Sequence, residues 1–511
     1  MAGADIVWGT ARARWVLLTT ILGSSIAMLD STVVNVALPT LGEELDAPLS
    51  GLQWTVNAYA LTLAALILVG GSLGDRLGRR RIFLFGIAWF AVASLLCGLS
   101  QDIWQLVAAR ALQGIGGALL TPGSLALIQA SFVPADRARA IGTWAGLGGV
   151  ATLIGPVVGG WLIDQVSWRW IFLINVPLAI VALVIGRRHV PESRDDRSAG
   201  HFDWWGAILA IVTLGAGTYA LIYAADDLTR SDVLAAAVLA LAGAVGFVMS
   251  QRREAHPMLP LGIFKSRQFS AANGMTFLVY AALSAVFFIL VLQLQVVSGF
   301  SATAAGLSLV PVTVLMMFLS ARAGLLAGKL GPRILMTVGP LICAVGVLLL
   351  LGVGPGADYV TDVLPGAVVF GLGLCALVAP LTATVLAAAE DRYAGVASGV
   401  NNAVARAAGL LAVAGLPLLV GLSTDVGLSP DGLDAAYDKA MIVNAVLLTA
   451  GGLLAWFTIR APLAKTTEAV PAAPASRPEA LEPVESAPST AGVSPQATAC
   501  APYVSTRSRV G

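Results

Sequence analysis

The chain has 511 residues, of which 57% are hydrophobic and only 12% charged, whereas soluble domains average about 25% charged residues. That balance excludes a water-soluble multidomain protein, and a net charge of +1 excludes a global field suited to nucleic acid or to acidic partners. Four cysteines (Cys97, Cys343, Cys375, Cys500) without CxxC or paired spacing and three histidines (His189, His201, His256) in polar gaps provide no disulfide framework and no metal cluster. No GxxxxGK[ST] loop is present for a nucleotide.

Apolar runs long enough to cross a bilayer as helices, about 20 residues each, fall at 15–38, 52–73, 82–99, 103–129, 139–163, 168–186, 204–223, 232–250, 269–297, 303–327, 333–353, 363–388, 398–422 and 439–459. An all-α polytopic membrane protein with 14 transmembrane helices is predicted. The first run is too long for a signal-peptide core and continues into DSTVVNVALP without a small-residue cleavage site, so it is expected to stay as a spanning helix. It holds Asp30 near its middle. An ionised Asp at that depth costs roughly 2.5 kcal/mol or more, and desolvation of this kind favours taking up a proton.

Span 2 carries Gln53, Trp54, Asn57 and Tyr59; Gln53 and Asn57 share a helix face. They are candidate cavity residues, although Gln and Asn also tie helices together and Trp and Tyr also mark the lipid interface. The gap GSLGDRLGRRR after span 2 places Gly71, Asp75, Arg76, Gly78, Arg79 and Arg80 between two helix ends. It reads either as a positive anchor on anionic headgroups or as a latch in which glycines allow close approach and Asp75 faces a helix N-terminus. Arg110 lies deep in span 4 with Gln113 one turn on, and an arginine there needs water, a carboxylate or backbone oxygens. Asp136 and Arg137 follow span 4. Span 5 repeats small residues (Gly142, Gly146, Gly155, Gly159), a face for close helix packing, with a kink expected at Pro156. Asn273, Gln293 and Gln295 in span 9 and Asn401 and Asn402 in span 13 are further candidate cavity residues. Arg322 and Arg406 are weaker counterparts of Arg110, and Arg322 is near enough to a helix end to snorkel.

An even number of spans puts both termini on one side. Arg12 and Arg14, the 76–81 arginines, Arg137 and Arg139, Arg187, Arg188, Arg194 and Arg197, and Arg252, Arg253, Lys265 and Arg267 all fall on that side. The opposite gaps hold Glu43, Glu44, Asp46, Asp102, Asp226, Asp227, Asp358, Asp362, Asp425, Asp431 and Asp434, with only Arg169, Arg230 and Lys439 against them. The positive-inside rule therefore makes both termini cytoplasmic. The gap GLLAGKLGPRILMTVG at 324–339 repeats GSLGDRLGRRRIFLFG at 71–86, with Gly328 in place of Asp75, and EDRYAGVASG at 390–399 echoes ADRARAIG at 135–142. The expected layout is a cytoplasmic N-terminus (1–14), a six-helix bundle (15–186), a loop (187–203), an inserted helix pair (204–250), a loop (251–268), a second six-helix bundle (269–460) and a disordered Pro- and Ala-rich cytoplasmic tail (461–511).

These motifs resemble those of the major facilitator superfamily. GSLGDRLGRRR is similar to its signature loop; span 4, LVAARALQGIGGALLTP, to the motif that places a basic residue in the proton-coupling region. Span 5 resembles the antiporter motif, with Gly142, Gly155, Pro156, Gly159 and Gly160 in place and Ala151 where the family usually has Gly, and LDSTVVNVALP resembles the motif of the fourteen-span drug:proton antiporters. The resemblance is carried by the first two fifths of the chain. It implies a plasma-membrane antiporter exporting amphipathic antibiotics, drugs or dyes against entering protons; with no catalytic domain, nucleotide loop or His/Cys cluster in the sequence, no enzyme and no cofactor are expected, and a functional monomer is expected. Asp30 and Arg110 would couple the proton; Gln53, Trp54, Asn57, Tyr59, Gln113, Asn273, Gln293 and Asn401 would contact substrate. A carrier for one specific metabolite shares the fold and remains the alternative. VPESR at 190–194 resembles part of the sugar-porter signature, but its continuation DDRSAG lacks the Pro-Arg, so it reads as a charged loop. All other acids fall in loops, the tail or span ends, which leaves Asp30 as the one deep carboxylate.

Overall fold

The computed structural model describes residues 6–194, 203–254, 257–388, 394–423 and 429–459. The 461–511 tail, much of the 187–203 loop and the Asp-Arg echo at 391–392 lie outside them. Among the described residues, fourteen helices are long and apolar enough to cross a membrane: Ala11–Glu44 (α1), Leu49–Leu77 (α2), Arg79–Leu99 (α3), Ile103–Ser131 (α4), Pro134–Gln165 (α5), Trp170–His189 (α6), Trp204–Tyr223 (α7), Ser231–Arg253 (α8), Arg267–Val297 (α9), Ala302–Leu330 (α10), Pro332–Gly352 (α11), Tyr359–Ala387 (α12), Val396–Val420 (α13) and Pro430–Thr458 (α14).

Local chemistry sets their ends. Asp102 accepts from the Trp104 and Gln105 amides at the start of α4, Ser301 from Ala304 at the start of α10, and Thr10 from Ala13 at the start of α1. The last helix begins nine residues before the apolar run at 439, because Ser429 caps it and Pro430 fits the first helical position. Its first turns therefore carry Asp431 and Asp434. At Pro156 no break is seen: α5 stays helical to Gln165.

Helix packing repeats along the chain. In the N-terminal bundle α2 packs on α4, α3 on α4, α1 on α5, α1 on α6 and α3 on α6; the C-terminal bundle packs α10 on α12, α11 on α12, α9 on α13, α9 on α14 and α11 on α14. Each pair recurs eight helices later, which is the duplication read from the two Gly-Arg loops. The inserted α7 lies against α2 and α13, across the seam between the bundles, and α8 packs on α7. Exposed Leu, Val, Phe and Trp side chains such as Leu234, Val238, Leu241, Phe318 and Trp161 line the outer helix faces, as expected where lipid is the solvent.

The bundles meet near the acid-bearing helix ends. Gln295 donates to the Val36 carbonyl, and Asp164 accepts from the Ala302 and Thr303 amides and the Thr303 hydroxyl at 3.2, 2.9 and 2.5 Å. A Cβ on Gly160 would sit 2.5 Å from the Ala302 carbonyl oxygen, and one on Gly306 would sit 2.3 Å from that of Pro156. Here α5 and α10 touch backbone to backbone. Toward the arginine-bearing ends the same helices part: among the described residues, nothing lies within 4 Å of a Cβ placed on Gly142, Gly146, Gly149 or Gly328. Leu147, Leu325, Leu326 and Leu330 are exposed there.

Candidate functional site

Helix α1 presents two faces at mid-height. Residues Gly23, Ile26, Ala27, Asp30, Val33, Val34 and Ala37 form the buried face, whereas Ser25, Met28, Ser31, Thr32 and Asn35 form a mainly polar stripe, half-buried except for the exposed Ser31, at three- and four-residue spacing. Asp30 is thus turned into the N-terminal bundle and away from the stripe. Its side chain is 0% exposed.

Arg110 Nη1 donates to Asp30 Oδ2 at 2.5 Å and to Gln113 Oε1 at 2.5 Å, and Arg110 Nε donates to the Thr55 carbonyl at 3.1 Å. Gln113 Nε2 donates to Asp30 Oδ1 at 2.7 Å and to Ser94 Oγ at 2.8 Å; Asn175 Nδ2 reaches Asp30 Oδ1 at 3.3 Å. Tyr59 closes one side, its ring centroid 4.3 Å from the guanidinium carbon of Arg110. Five helices, α1, α2, α3, α4 and α6, so converge on one ion pair. The sequence marked Asp30, Arg110, Gln113 and Tyr59; it missed Ser94 and Asn175, whose signal was a single polar residue in an otherwise apolar run.

Close helix contact makes this convergence possible. A Cβ on Gly114 would lie 2.4 Å from the Tyr59 carbonyl oxygen, and one on Gly70 would lie 2.0 Å from that of Ala118, so α4 sits directly on α2. In α5, a Cβ on Gly155 would meet Thr32 Oγ1 at 2.5 Å and one on Gly159 would meet Val33 Cγ2 at 1.7 Å. Four of the antiporter-motif residues, Gly155, Pro156, Gly159 and Gly160, therefore pack α5 against α1 and α10, while Gly142 faces open space in this state.

Several polar residues marked as substrate contacts are engaged in helix–helix contacts in this conformation. Gln53 Nε2 donates to the Val413 carbonyl at 2.6 Å, joining α2 to α13 across the seam. Gln293 Nε2 donates to the Val353 carbonyl and to Asp434 Oδ1, at 3.0 and 2.6 Å. Asn401 donates to Asn273 Oδ1 and Thr276 Oγ1, at 3.2 and 2.7 Å. Asn57 is different: it is 0% exposed and neither its amide nitrogen nor its oxygen has a hydrogen-bond partner among the described residues. Trp54 is half-buried on the same helix. Asn402 is exposed and bonds only its own helix, at Ser398.

The arginine-bearing loop forms a second constellation. Gly78 has φ +112°, a conformation L side chains rarely adopt, and its α-carbon lies against Glu192, whose carboxyl carbon would be 2.8 Å from a Cβ there. Glu192 accepts from the backbone amides of Arg80 and Arg81 at 3.0 and 3.2 Å, Arg80 Nη1 donates to the Val190 carbonyl at 3.0 Å, and Arg79 Nε donates to Asp75 at 2.8 Å. The carboxylate that faces the α3 N-terminus is thus Glu192, inside VPESR, while Asp75 pairs within the loop. The second copy repeats the turn, with Gly331 at φ +83°, but there Arg333 stacks 4.2 Å over Trp456. Asp136 accepts from the Trp8 amide at 2.8 Å, and Arg137 donates to the Phe132 carbonyl, fastening the N-terminal segment to the turn between α4 and α5.

Residues 20–413 match the Major Facilitator Superfamily. The tetracenomycin C resistance and export protein of Streptomyces glaucescens is 35% identical over 407 residues, covering 78% of this chain and 74% of that protein. The methylenomycin A resistance protein of Bacillus subtilis is 36% identical over 407 residues, covering 78% and 86%. A D-xylose–proton symporter of known structure superimposes with TM-score 0.62 at 14% identity, covering 88% of this chain and 98% of that one, which is a likeness of fold. Matched over most of its length, with duplicated six-helix bundles around a glycine-lined seam, the chain belongs to the major facilitator superfamily, whose members carry small molecules across membranes.

Proposed function

We propose that the protein is a proton-driven exporter of amphipathic small molecules, antibiotics or dyes, working by alternating access in the cell membrane. The observation that carries this reading is the fully buried Asp30–Arg110 pair, tied to five helices by Gln113, Ser94, Thr55 and Asn175. A carboxylate shut away from water in this way is reached by solvent only when the bundle around it rearranges, which is what coupling a proton to a conformational change requires. The names of its relatives, resistance and export proteins for tetracenomycin C and methylenomycin A, support export over uptake. The arginine-bearing helix ends are read as cytoplasmic, with both termini on that side and the arginines against anionic lipid headgroups. On that orientation the α5–α10 seam is closed outside and parted inside, an inward-open state. On this reading the cycle runs on the proton gradient with neither cofactor nor ATP, and a single chain is the working unit.

Everted vesicles from an efflux-deficient host, energised to an acid interior, test the proposal. Adding a drug that the host resists only when it carries this chain should release protons from the vesicles and load the drug into them. Drug loading that persists after the proton gradient is collapsed, or dye moving only the other way, would refute it.

A further inference from the structure

Arg406 lies at mid-height in α13, yet no hydrogen bond or ion pair joins it to any described residue, and its Nε is shielded without a partner. Its electrostatic neighbours are Tyr59 of α2 and Tyr280 of α9. Its place on the seam follows from register. Gln53 reaches Val413, and a Cβ on Gly399 would meet Leu68, so α2 and α13 run antiparallel with Arg406 opposite the Tyr59 level. Asn57, on the Gln53 face of α2, looks toward the same level and is fully buried with both polar atoms unpartnered. The half-buried Tyr280 hydroxyl has no hydrogen-bond partner among the described residues.

The charges decide what these groups suit. Asp30 and Arg110 cancel each other at 2.5 Å inside the bundle, so among the described residues the interior seam is left with the uncompensated charge of Arg406. An isolated cation in a membrane interior is costly unless something anionic joins it, and no carboxylate of the described residues does. Resting on the export reading above, we propose that Arg406 is the substrate-recognition cation of the transport path and that its substrates are organic anions: an aromatic ring system bearing a carboxylate or phenolate. The guanidinium fork takes the oxyanion, the Asn57 amide supplies a further donor, and the rings of Tyr59 and Tyr280 flank the aromatic body. A cationic drug of the same shape meets like charge and finds no acid to offset it. Electrically, an anion leaving a negative interior is also driven outward, so the membrane potential assists export of this class.

The test is equilibrium binding to the purified full chain by fluorescence anisotropy. Fluorescein, an anion at pH 8, serves as probe, and a cationic rhodamine ester on the same ring frame serves as control. Wild type should bind fluorescein at least about tenfold more tightly than the rhodamine ester. Arg406→Gln should weaken fluorescein by about tenfold or more while leaving the ester unchanged or tighter, and Arg406→Lys should retain part of the affinity. Should Arg406→Gln fail to fold, Asn57→Ala carries the test and is expected to weaken fluorescein several-fold. Tighter binding of the ester by wild type, no saturable fluorescein binding, or full fluorescein affinity in Arg406→Gln or Asn57→Ala would overturn the assignment. Binding is read without a proton gradient, so failure of proton-coupled export in vesicles is a separate result.

Discussion

Replacing Asp30 with Asn separates charge from shape at the centre of the proposed mechanism. Asn keeps an oxygen within reach of Gln113 Nε2 and Asn175 Nδ2, which stand 2.7 and 3.3 Å from Asp30 Oδ1. Arg110, only 2% exposed, loses its one anionic partner. Breaking a buried pair from one side costs about 3–5 kcal/mol; the Thr55 carbonyl and Gln113 Oε1 remain as acceptors, so the loss should lie near the lower end of that range. Combining Asp30→Asn with Arg110→Gln removes the stranded charge and should restore most of the thermal stability, but not coupling. One proton entering across 100 mV and one pH unit supplies about 3.7 kcal/mol, enough to hold an uncharged substrate at about a 500-fold gradient. Asp30→Asn should abolish that gradient and the drug-induced proton release in everted vesicles while leaving slow equilibration. Accumulation above about tenfold by Asp30→Asn, with proton release at the wild-type rate, would refute the role given to Asp30.

Three further outcomes follow from close contacts. Gly160→Ala or Gly306→Ala forces a methyl within 2.5 Å of a backbone oxygen on the facing helix and should favour opening at the acid-bearing ends. In a Cys500→Ser background, a cysteine placed at Ser31 should then react severalfold faster with an impermeant thiol reagent from that side. Gly142→Ala and Gly146→Ala, with open space around them, should change nothing, and equal labelling in all four would count against the seam. Asp164→Ala removes the acceptor for the first α10 amides, a loss of about 1 kcal/mol, and should raise the same labelling rate. Glu192→Gln weakens the cap on α3, where Arg80 Nε also stands 3.6 Å from the carboxylate with both groups over a third exposed. It should lower stability by about 1 kcal/mol and slow transport, whereas unchanged melting and flux would show that the loop does not depend on this acid.

Topology was legible because lipid leaves little choice: a backbone that must satisfy its own hydrogen bonds over 30 Å gives long apolar runs, and all 14 appear as helices. The helix ends were less so. The polar first turns of α14 follow Ser429 and Pro430 and not hydropathy. At the ion pair, Asp30, Arg110 and Gln113 stood out because a charged or amide side chain in an apolar run is costly. Asn175 and Ser94 share that property, but what makes them matter is convergence of α3 and α6 on α1, which no single run encodes. Glu192 was hidden for a different reason. A charged residue in a loop looks solvated until a glycine at φ +112° brings the neighbouring backbone amides onto it. The contact role expected of Gln53 rested on polarity and a face shared with Asn57, and that of Gln293 on polarity, and neither signal distinguishes a residue facing a cavity from one bonded, in this conformation, to a carbonyl on another segment.

The two faces of α1 constrain how coupling can work. Asp30 points into the N-terminal bundle, while Ser31 and Asn35 point to the exposed stripe, so on the proposed reading, with the cargo at Arg406, proton and substrate would not share the same atoms. Any exchange between them has to pass through a third group that touches both environments. Arg110 is such a group: it holds Asp30 at 2.5 Å, bonds the Thr55 carbonyl at 3.1 Å and lies 4.3 Å from the Tyr59 ring centroid. Thr55 and Tyr59 belong to α2, the helix that Gln53 ties to α13 across the seam. Protonating Asp30 would remove the charge that fixes Arg110, leaving the guanidinium to shift against the Thr55 carbonyl and the Tyr59 ring. That strain falls on α2 at the level where it faces Arg406. On the proposed reading the proton would be registered at the bundle interface by movement of a buried cation, with no direct contact between proton and cargo.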